Sequence, residues 1–170
     1  MMFAFDSLDK GTEALQRLYK LKPYFISFLD GGLVRLLNKV GGHLKEKPLT
    51  VALAIDGAEQ ELNLMESRIQ EICGNAFRYS DEEAEHEWQN RYKTGLSFKR
   101  LGPSLFAQEM RIPVKFLNNV LKELDALLRD YQWGVESLAS DNNTVVLSIL
   151  VLADERIRSQ YMKQFSFMLP

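Results

Sequence analysis

Residues that commonly perform catalysis or bind metals are few in this sequence. The two histidines are His43, which follows a Gly-Gly pair, and His86, which lies in an acidic segment. The acidic neighbours of His86 are Asp81, Glu82, Glu83, Glu85 and Glu87. Carboxylates and an imidazole are ligands for divalent metals. On a helix, however, these side chains point in all directions, which is typical of a solvated helix start, and we predict no metal site here.

Motifs for nucleophilic or phosphate chemistry do not occur either. No Cys or His pairs have the spacing of zinc ligands. The Asp-Gly-Gly segment at 30–32 and the Gly-Gly pair at 41–42 lack the lysine of a P-loop and the spacing of a dinucleotide-binding turn. The single cysteine, Cys73, falls on the apolar stripe of a predicted helix, so a buried thiol is expected rather than a nucleophile. The sequence therefore predicts no self-sufficient active site.

A polar turn at 140–144 stands directly before the apolar run Val145 to Leu152. It reads Ser-Asp-Asn-Asn-Thr, and these residue types favour turns. Such a turn either connects a hairpin or presents a functional site at the end of a strand. Both interpretations fit the local sequence.

Composition limits the class of protein. The chain has 170 residues, a formal net charge of -2 and 46% hydrophobic residues. That length suits one domain with a sizeable core, and the balanced charge gives little attraction for nucleic acid or an anionic membrane. No segment is apolar enough to span a bilayer, and the N-terminal residues lack the features of a signal peptide. With one cysteine, a reducing, cytoplasmic compartment is expected.

The first half alternates strands and helices. Strands are predicted at 2–7, 24–30, 49–57 and 75–80 from apolar runs. Helices are predicted after an N-cap at Asp6 or Ser7, at 31–42 between glycine pairs, and at 58–73. With the short helix as an insertion, this order is the βαββαβ of a ferredoxin-like unit covering about residues 1–80.

The second half, about residues 81–170, predicts a partial second unit. A charged helix at 81–93 precedes a strand at 104–112 that Pro113 ends, and a strongly amphipathic helix spans 114–131. A strand pair follows at 133–139 and 144–152. We expect an α+β fold in which an antiparallel sheet carries helices mainly on one face. The unfinished second unit indicates a fragment or part of a larger protein, and the apolar end Phe165 to Leu169 is expected to meet the remainder or a second copy.

The order of these elements resembles one family. Trp88 and Arg91 on a helix, Glu109 through Pro113 at a strand end, a helix, and then the polar turn and its strand are similar to the C-terminal cap domain of FAD-linked oxidases. The resemblance is to the glycolate oxidase and D-lactate dehydrogenase branch of the vanillyl-alcohol oxidase superfamily. The upstream strands and helices resemble the opening of the same domain, so the similarity covers most of the chain.

The resemblance implies a substrate-side domain of an FAD-dependent oxidoreductase acting on a 2-hydroxy acid such as D-lactate or glycolate. In such enzymes the flavin accepts a hydride from the substrate. The FAD is bound by a separate domain, which is then the expected partner, so this chain alone is expected to bind no FAD and to be inactive.

The resemblance also identifies replaced residues. Histidines of the family turn are replaced by Ala139 and Val146, an asparagine by Ser148, and a lysine by Ala107. None of these side chains takes up a proton at neutral pH. We therefore interpret the turn as a hairpin connector.

Arg91 is the one candidate substrate-binding residue. The resemblance implies that its planar guanidinium binds a substrate carboxylate. The alternative is an ion pair with Glu87, one helical turn earlier. Trp88 is expected to anchor the core, and Tyr92 and Thr94 are expected at the edge of a pocket.

Two other functions remain open at this stage. One is a stand-alone ferredoxin-like binding or regulatory module, because that architecture serves many unrelated functions. The other is a non-catalytic subunit of a multi-subunit oxidase that retains the cap fold without its histidines. Self-association into a homo-oligomer is compatible with each.

Overall fold

The computed structural model describes residues 1–90, 94–98, 100–102, 104–140, 144–154, 156–159 and 162. The strands in this part are β1 (Met2–Phe5), β2 (Phe25–Asp30), β3 (Leu49–Ala54), β4 (Phe77–Arg78), β5 (Ser104–Pro113), β6 (Gln132–Ser140) and β7 (Thr144–Ala153). The α-helices are α1 (Leu8–Tyr19), α2 (Gly31–Lys39), α3 (Glu59–Cys73), α4 (Asp81–Asn90), α5 (Thr94–Phe98) and α6 (Leu117–Leu127). In the described residues no helix has the length and hydropathy needed to cross a membrane.

All seven of these strands lie in one sheet, in the order β4-β1-β3-β2-β6-β7-β5. Every neighbouring pair is antiparallel. The first four strands follow the ferredoxin-like order 4-1-3-2, and β6, β7 and β5 extend the sheet beyond β2. The predicted α+β class, the antiparallel sheet and the ferredoxin-like unit are confirmed.

One face of the sheet carries the main hydrophobic core. Helices α1, α3 and α6 pack on it, because each has a stripe of apolar side chains at helical spacing. Leu15 and Leu18 on α1 and Leu117 on α6 are fully buried against strand residues such as Phe28. Cys73 of α3 is buried on this face, as predicted, and burial raises the pKa of its thiol to about 12. This thiol stays protonated at neutral pH.

The opposite face is also covered in part, by α2 and α5, which the prediction of helices mainly on one face did not specify. Leu33 and Leu36 of α2 and Phe98 of α5 pack with Leu150 and Leu152 of β7. Both strand residues belong to the almost unbroken apolar run of β7, whose side chains alternate between the two faces. An apolar strand of this kind must be buried on both sides, so helices are required on each.

Helix α2 lies directly against the backbone of β6. The Asp30 carboxylate caps α2 by accepting from the N–H of Gly32 at 3.0 Å and of Leu33 at 2.8 Å, and it also accepts from Val135 N–H at 2.7 Å. A Cβ on Gly134 would meet the backbone nitrogen of Leu33 at 2.5 Å. A side chain at this glycine would therefore separate the helix from the strand.

Two helix boundaries refine the sequence predictions. The side chain of Ser7, one of the two predicted caps, accepts from the Lys10 N–H at 3.2 Å at the start of α1. Helix α6 is shorter than predicted, because a 3₁₀ turn at Val114–Phe116 follows Pro113 and the helix ends at Leu127. The apolar end Phe165 to Leu169 lies outside the described residues.

Candidate functional site

A cavity of about 830 Å³ opens on the sheet face opposite the main core. Its floor is formed by β1, β2, β3 and β6, and its walls by α4 and by the end of α2 with the turn after it. Most of the lining is apolar, as at Leu29, Leu37 and Leu44, with a few polar groups between. Ligand sites in proteins have this size and this balance of apolar walls and isolated polar groups.

Helix α4 forms one wall of this cavity. The helix is fixed at its start, because Glu83 accepts from the backbone N–H of Ser80 at 2.8 Å and Ser80 Oγ accepts from Glu83 N–H at 3.2 Å. In its last turns Glu87, Trp88 and Asn90 line the cavity. The acidic side chains of α4 are otherwise largely exposed, as predicted for a solvated helix start.

Trp88 does not have the predicted position in the core. Its side chain is half-buried at the cavity wall, where its ring meets that of Phe25 edge to face with centroids 4.7 Å apart. The prediction failed because helix α4 lies beside the cavity rather than over a filled layer of side chains. The aromatic pair gives the cavity a rigid apolar wall.

Glu136 is the carboxylate on the cavity floor. It lies on β6, with Leu29 of β2 as its cross-strand partner on one side and Ser148 of β7 on the other. Within the described residues its carboxylate has no hydrogen bond and no ion pair. Burial without a compensating charge raises the pKa of Glu136 to about 6. This group therefore changes charge close to neutral pH.

Sequence reasoning missed Glu136. The signal was present, because residues alternate along β6: Trp133 and Val135 face the main core, and Glu136 therefore faces the cavity. A charged side chain in the middle of a strand within an apolar sheet is unusual. Only the register with β2 and β7 turns that observation into a site, because it shows that both neighbours are uncharged.

The charged groups that line the cavity are mostly acidic. The acidic groups are Asp81, Glu85, Glu87 and Glu136; the basic groups of the described lining are the His86 imidazole and the Met1 ammonium, with no lysine or arginine. Burial raises the pKa of Glu87, and the charge of His86 opposes that shift. No group of three or more potential metal-ligating side chains occurs in the described part of the chain.

Only part of the segment after α4, which contains the predicted site residues Arg91, Tyr92 and Thr94, is described by the structure. Arg91 and Tyr92 lie outside the described residues, and Thr94 begins α5 without a described side chain. Asn90, the residue before Arg91, ends α4 and lines the cavity. The structure therefore leads the chain to the cavity wall immediately before the one predicted substrate-binding residue.

The polar turn at 141–143 also lies outside the described residues, but its flanking strands are described. Ala139 and Val146, the two positions where the resemblance places histidines, are direct partners across β6 and β7. Ser148 pairs with Glu136, and Ala107 of β5 pairs with Leu150. The replaced positions therefore lie on adjacent strands, and Ser148 lies next to the cavity carboxylate.

The strand-to-helix turn at Asp30 is the place where a phosphate group would be expected, because glycines follow it and a helix begins there. The N–H groups of Gly32 and Leu33 are already bonded to the Asp30 carboxylate. A second anion would replace or repel that carboxylate. These residues do not fit the pyrophosphate of FAD.

Comparison with models of protein families shows the family to which this chain belongs. The model for "FAD linked oxidases, C-terminal domain" matches residues 1–169. The chain belongs to this family. The resemblance to the C-terminal domain of FAD-linked oxidases is confirmed.

Solved structures share the fold of this FAD-linked oxidase domain. Two structures of alkyldihydroxyacetonephosphate synthase superpose with a TM-score of 0.64 each, at 11% and 12% identity, over 97% and 98% of this chain. The chain spans 37% and 38% of the length of those proteins. A search of curated protein sequences gave no match.

Proposed function

We propose that this chain is the substrate-side cap domain of an FAD-dependent oxidoreductase, and that the substrate is a 2-hydroxy acid such as D-lactate or glycolate. The observation that carries the proposal is the cavity of about 830 Å³ with an ionisable carboxylate on its floor, in a chain that matches the family over residues 1–169. The cavity provides a binding site, and Glu136 provides a group that titrates near neutral pH.

The flavin is proposed to come from another domain. The N–H groups at the start of α2, the glycine-rich helix start that follows a strand, are bonded to Asp30, so they are not free for a pyrophosphate. We expect the purified chain to lack flavin absorbance and to give no reduction of a dye with D-lactate. A yellow preparation, or dye reduction that depends on D-lactate, would contradict this part of the proposal.

Arg91 is proposed to bind the substrate carboxylate. A carboxylate entering a cavity lined by acidic groups needs a cation. The described lining contains no lysine or arginine, and its Met1 ammonium already donates a hydrogen bond to Leu53 O at 3.0 Å. Arg91 follows Asn90, which lines the cavity, in sequence. A guanidinium offers two parallel hydrogen bonds to a carboxylate, which a lysine ammonium does not.

The test is a titration of the isotope-labelled chain with D-lactate and glycolate, followed by amide resonances in NMR spectra. Resonances of α4 and of the residues around Glu136 are expected to shift, and Arg91→Gln is expected to weaken binding about tenfold or more. Arg68→Gln is the matched control, because Arg68 is exposed on α3, which packs on the opposite face of the sheet. Equal binding by both variants would remove Arg91 from the site.

A second candidate is a non-catalytic subunit of an oxidase that keeps the cap fold. It is favoured by the Ala139–Val146 pair, because the resemblance places histidines at both positions and neither alanine nor valine has a group that can take up or release a proton. In that case neither hydroxy acid shifts the resonances of the cavity. A saturable shift at millimolar ligand would contradict the non-catalytic function.

A further inference from the structure

The cavity has room for a ligand larger than lactate or glycolate. Lactate has a methyl group as its apolar part, and glycolate has none, whereas cavities of several hundred cubic ångströms surround drug-sized ligands. Phe25 and Leu29 both line the cavity and lie four residues apart on β2, which corresponds to roughly 13 Å along the strand. A small hydroxy acid close to Glu136, the cross-strand partner of Leu29, would leave the Phe25 end of the cavity unfilled.

The end near Phe25 is suited to an apolar group. Trp88 and Phe25 present an edge-to-face aromatic pair there, and Ala54, the cross-strand partner of Phe25, lines the cavity beside them. An aromatic or branched alkyl group in contact with such a wall loses its water-exposed surface, which increases affinity about fourfold for each buried methylene equivalent. The cavity therefore favours a ligand with an extended apolar side chain.

The end near Glu136 has a different requirement. A carboxylate ligand and an ionised Glu136 would be two negative charges in a partly desolvated space, and they would repel each other strongly. The cross-strand neighbours Leu29 and Ser148 carry no charge that could offset this repulsion. A neutral carboxylic acid at Glu136, in contrast, donates a hydrogen bond to an oxygen of the ligand.

We propose that the cavity binds a 2-hydroxy acid whose apolar side chain is larger than the methyl group of lactate, and that Glu136 takes up a proton when this anion binds and donates a hydrogen bond to it. The inference rests on the proposed function for the chemical class of the ligand, and adds its size and the role of Glu136. Burial already raises the pKa of Glu136 to about 6, so a further small shift is enough to protonate it at neutral pH.

Other titratable groups face the same cavity and could take up the proton instead. On α4 these are Asp81, Glu85, His86 and Glu87, and before β1 it is the Met1 ammonium, whose pKa is lowered by burial. His86 is exposed and its imidazole is hydrogen-bonded to Asn90 at 2.8 Å. Glu87 is partly buried and has a raised pKa, but it lies on the wall with Trp88 rather than on the floor of the sheet. Variants at His86 and Glu87 therefore belong in the test.

The test is isothermal titration calorimetry of the whole chain with D-phenyllactate in buffers of different ionisation enthalpy, which measures the number of protons taken up. About half a proton or more per bound ligand is expected at pH 7, and the affinity is expected to fall by up to about tenfold per pH unit above that. Glu136→Gln is expected to bind without proton uptake and with an affinity independent of pH, because the amide donates a hydrogen bond without a charge. His86→Gln and Glu87→Gln are expected to retain the uptake.

Glu109→Gln is the matched control for the substitution at Glu136. Glu109 lies on β5 in the same cross-strand row, opposite Ser148, but is exposed and does not line the cavity. Binding without proton uptake by the unaltered chain, or uptake that persists in Glu136→Gln, would overturn the role of Glu136. If proton uptake is lost only in His86→Gln or only in Glu87→Gln, the proton is taken up by that residue, and the proposed role of Glu136 is overturned as well.

The size of the ligand is tested by comparing D-phenyllactate with D-lactate. Binding at least about tenfold tighter is expected for D-phenyllactate, and Trp88→Ala or Trp88→Leu should remove most of the difference. Tyr24→Ala is the aromatic control, since Tyr24 is 77% exposed and lies outside the cavity. Equal affinity for the two acids would overturn the proposed size of the ligand and leave the proposed role of Glu136 standing. If neither acid binds, the hydroxy-acid class of the proposed function fails, and this inference with it.

Discussion

On one face of the sheet, α1, α3 and α6 bury a continuous apolar layer whose residues include Leu15, Leu18 and Leu117. On the other face, α2 and α5 cover only part of the strands, and between them and α4 the sheet remains accessible as the cavity. The second face also carries the partly buried carboxylate of Glu136. The difference indicates that one face supplies stability and the other supplies a binding surface, and each of the following predictions tests that division.

The largest effect on stability is expected at the contact of α2 with β6. Gly134→Ala places a Cβ about where the backbone of Leu33 lies, with Leu33 N at 2.5 Å, and backbone atoms have little freedom to move away. A loss of roughly 3 kcal/mol or more in the free energy of unfolding is expected. Urea denaturation measures it, with Gly102→Ala as the control, because a Cβ there meets its nearest atom at 3.6 Å. Equal urea midpoints for the Gly134→Ala and Gly102→Ala variants would show that α2 does not pack this closely against β6.

A deletion in the main core should cost about 2–3 kcal/mol. Leu121 is 3% exposed on α6, so Leu121→Ala removes buried methyl groups and leaves a cavity. Leu37→Ala at the wall of the existing cavity should cost less than half as much, because Leu37 is only partly buried. Thermal unfolding of the two variants measures the contrast. A cost at Leu37 equal to that at Leu121 would contradict the division between the faces.

A smaller effect, which depends on pH, is expected from Glu136. Its pKa is about 6 in the folded chain against the ordinary glutamate value of 4.5, so the folded state binds the proton more tightly than the unfolded state does. Stability therefore decreases as the pH rises from 4.5 through 6, by about 1–2 kcal/mol in total, and changes no further at higher pH. Relative to the unaltered chain, Glu136→Gln should thus gain stability between pH 4.5 and pH 7. Denaturation across this range tests the sign, and Glu109→Gln should show no such gain.

Trp88→Ala should have the smallest effect on stability, below about 1 kcal/mol, even though tryptophan is the largest side chain. Trp88 lies at the cavity wall and is half-buried, so its removal enlarges a space that water already reaches. Chemical denaturation provides the measurement. A loss of 3 kcal/mol or more would restore Trp88 to the role of core anchor.

The sequence was sufficient for the fold because its signals are local. The stripes of α1 and α6 and the apolar runs of β2 and β7 each predict their own element, and the order of elements then selects the ferredoxin-like unit. The placement of α2 on the second face was missed, because its apolar residues do not reveal which face of the sheet they cover. Glu136 was missed for the same reason, since its position depends on strands far away in the sequence. Arg91 was identified through the family resemblance, and its role stays a prediction.

Asp30 has a consequence for how this chain can be divided. Its carboxylate joins α2 of the first unit to the backbone of Val135 in the second, 105 residues later in the sequence. A fragment that ends near residue 80 would keep β2 and Asp30 but lose β6, which would leave an open strand edge and a carboxylate without its Val135 donor. The first and second units therefore depend on each other and do not form two independently folding modules. Any transfer of this domain between proteins would have to move both units together.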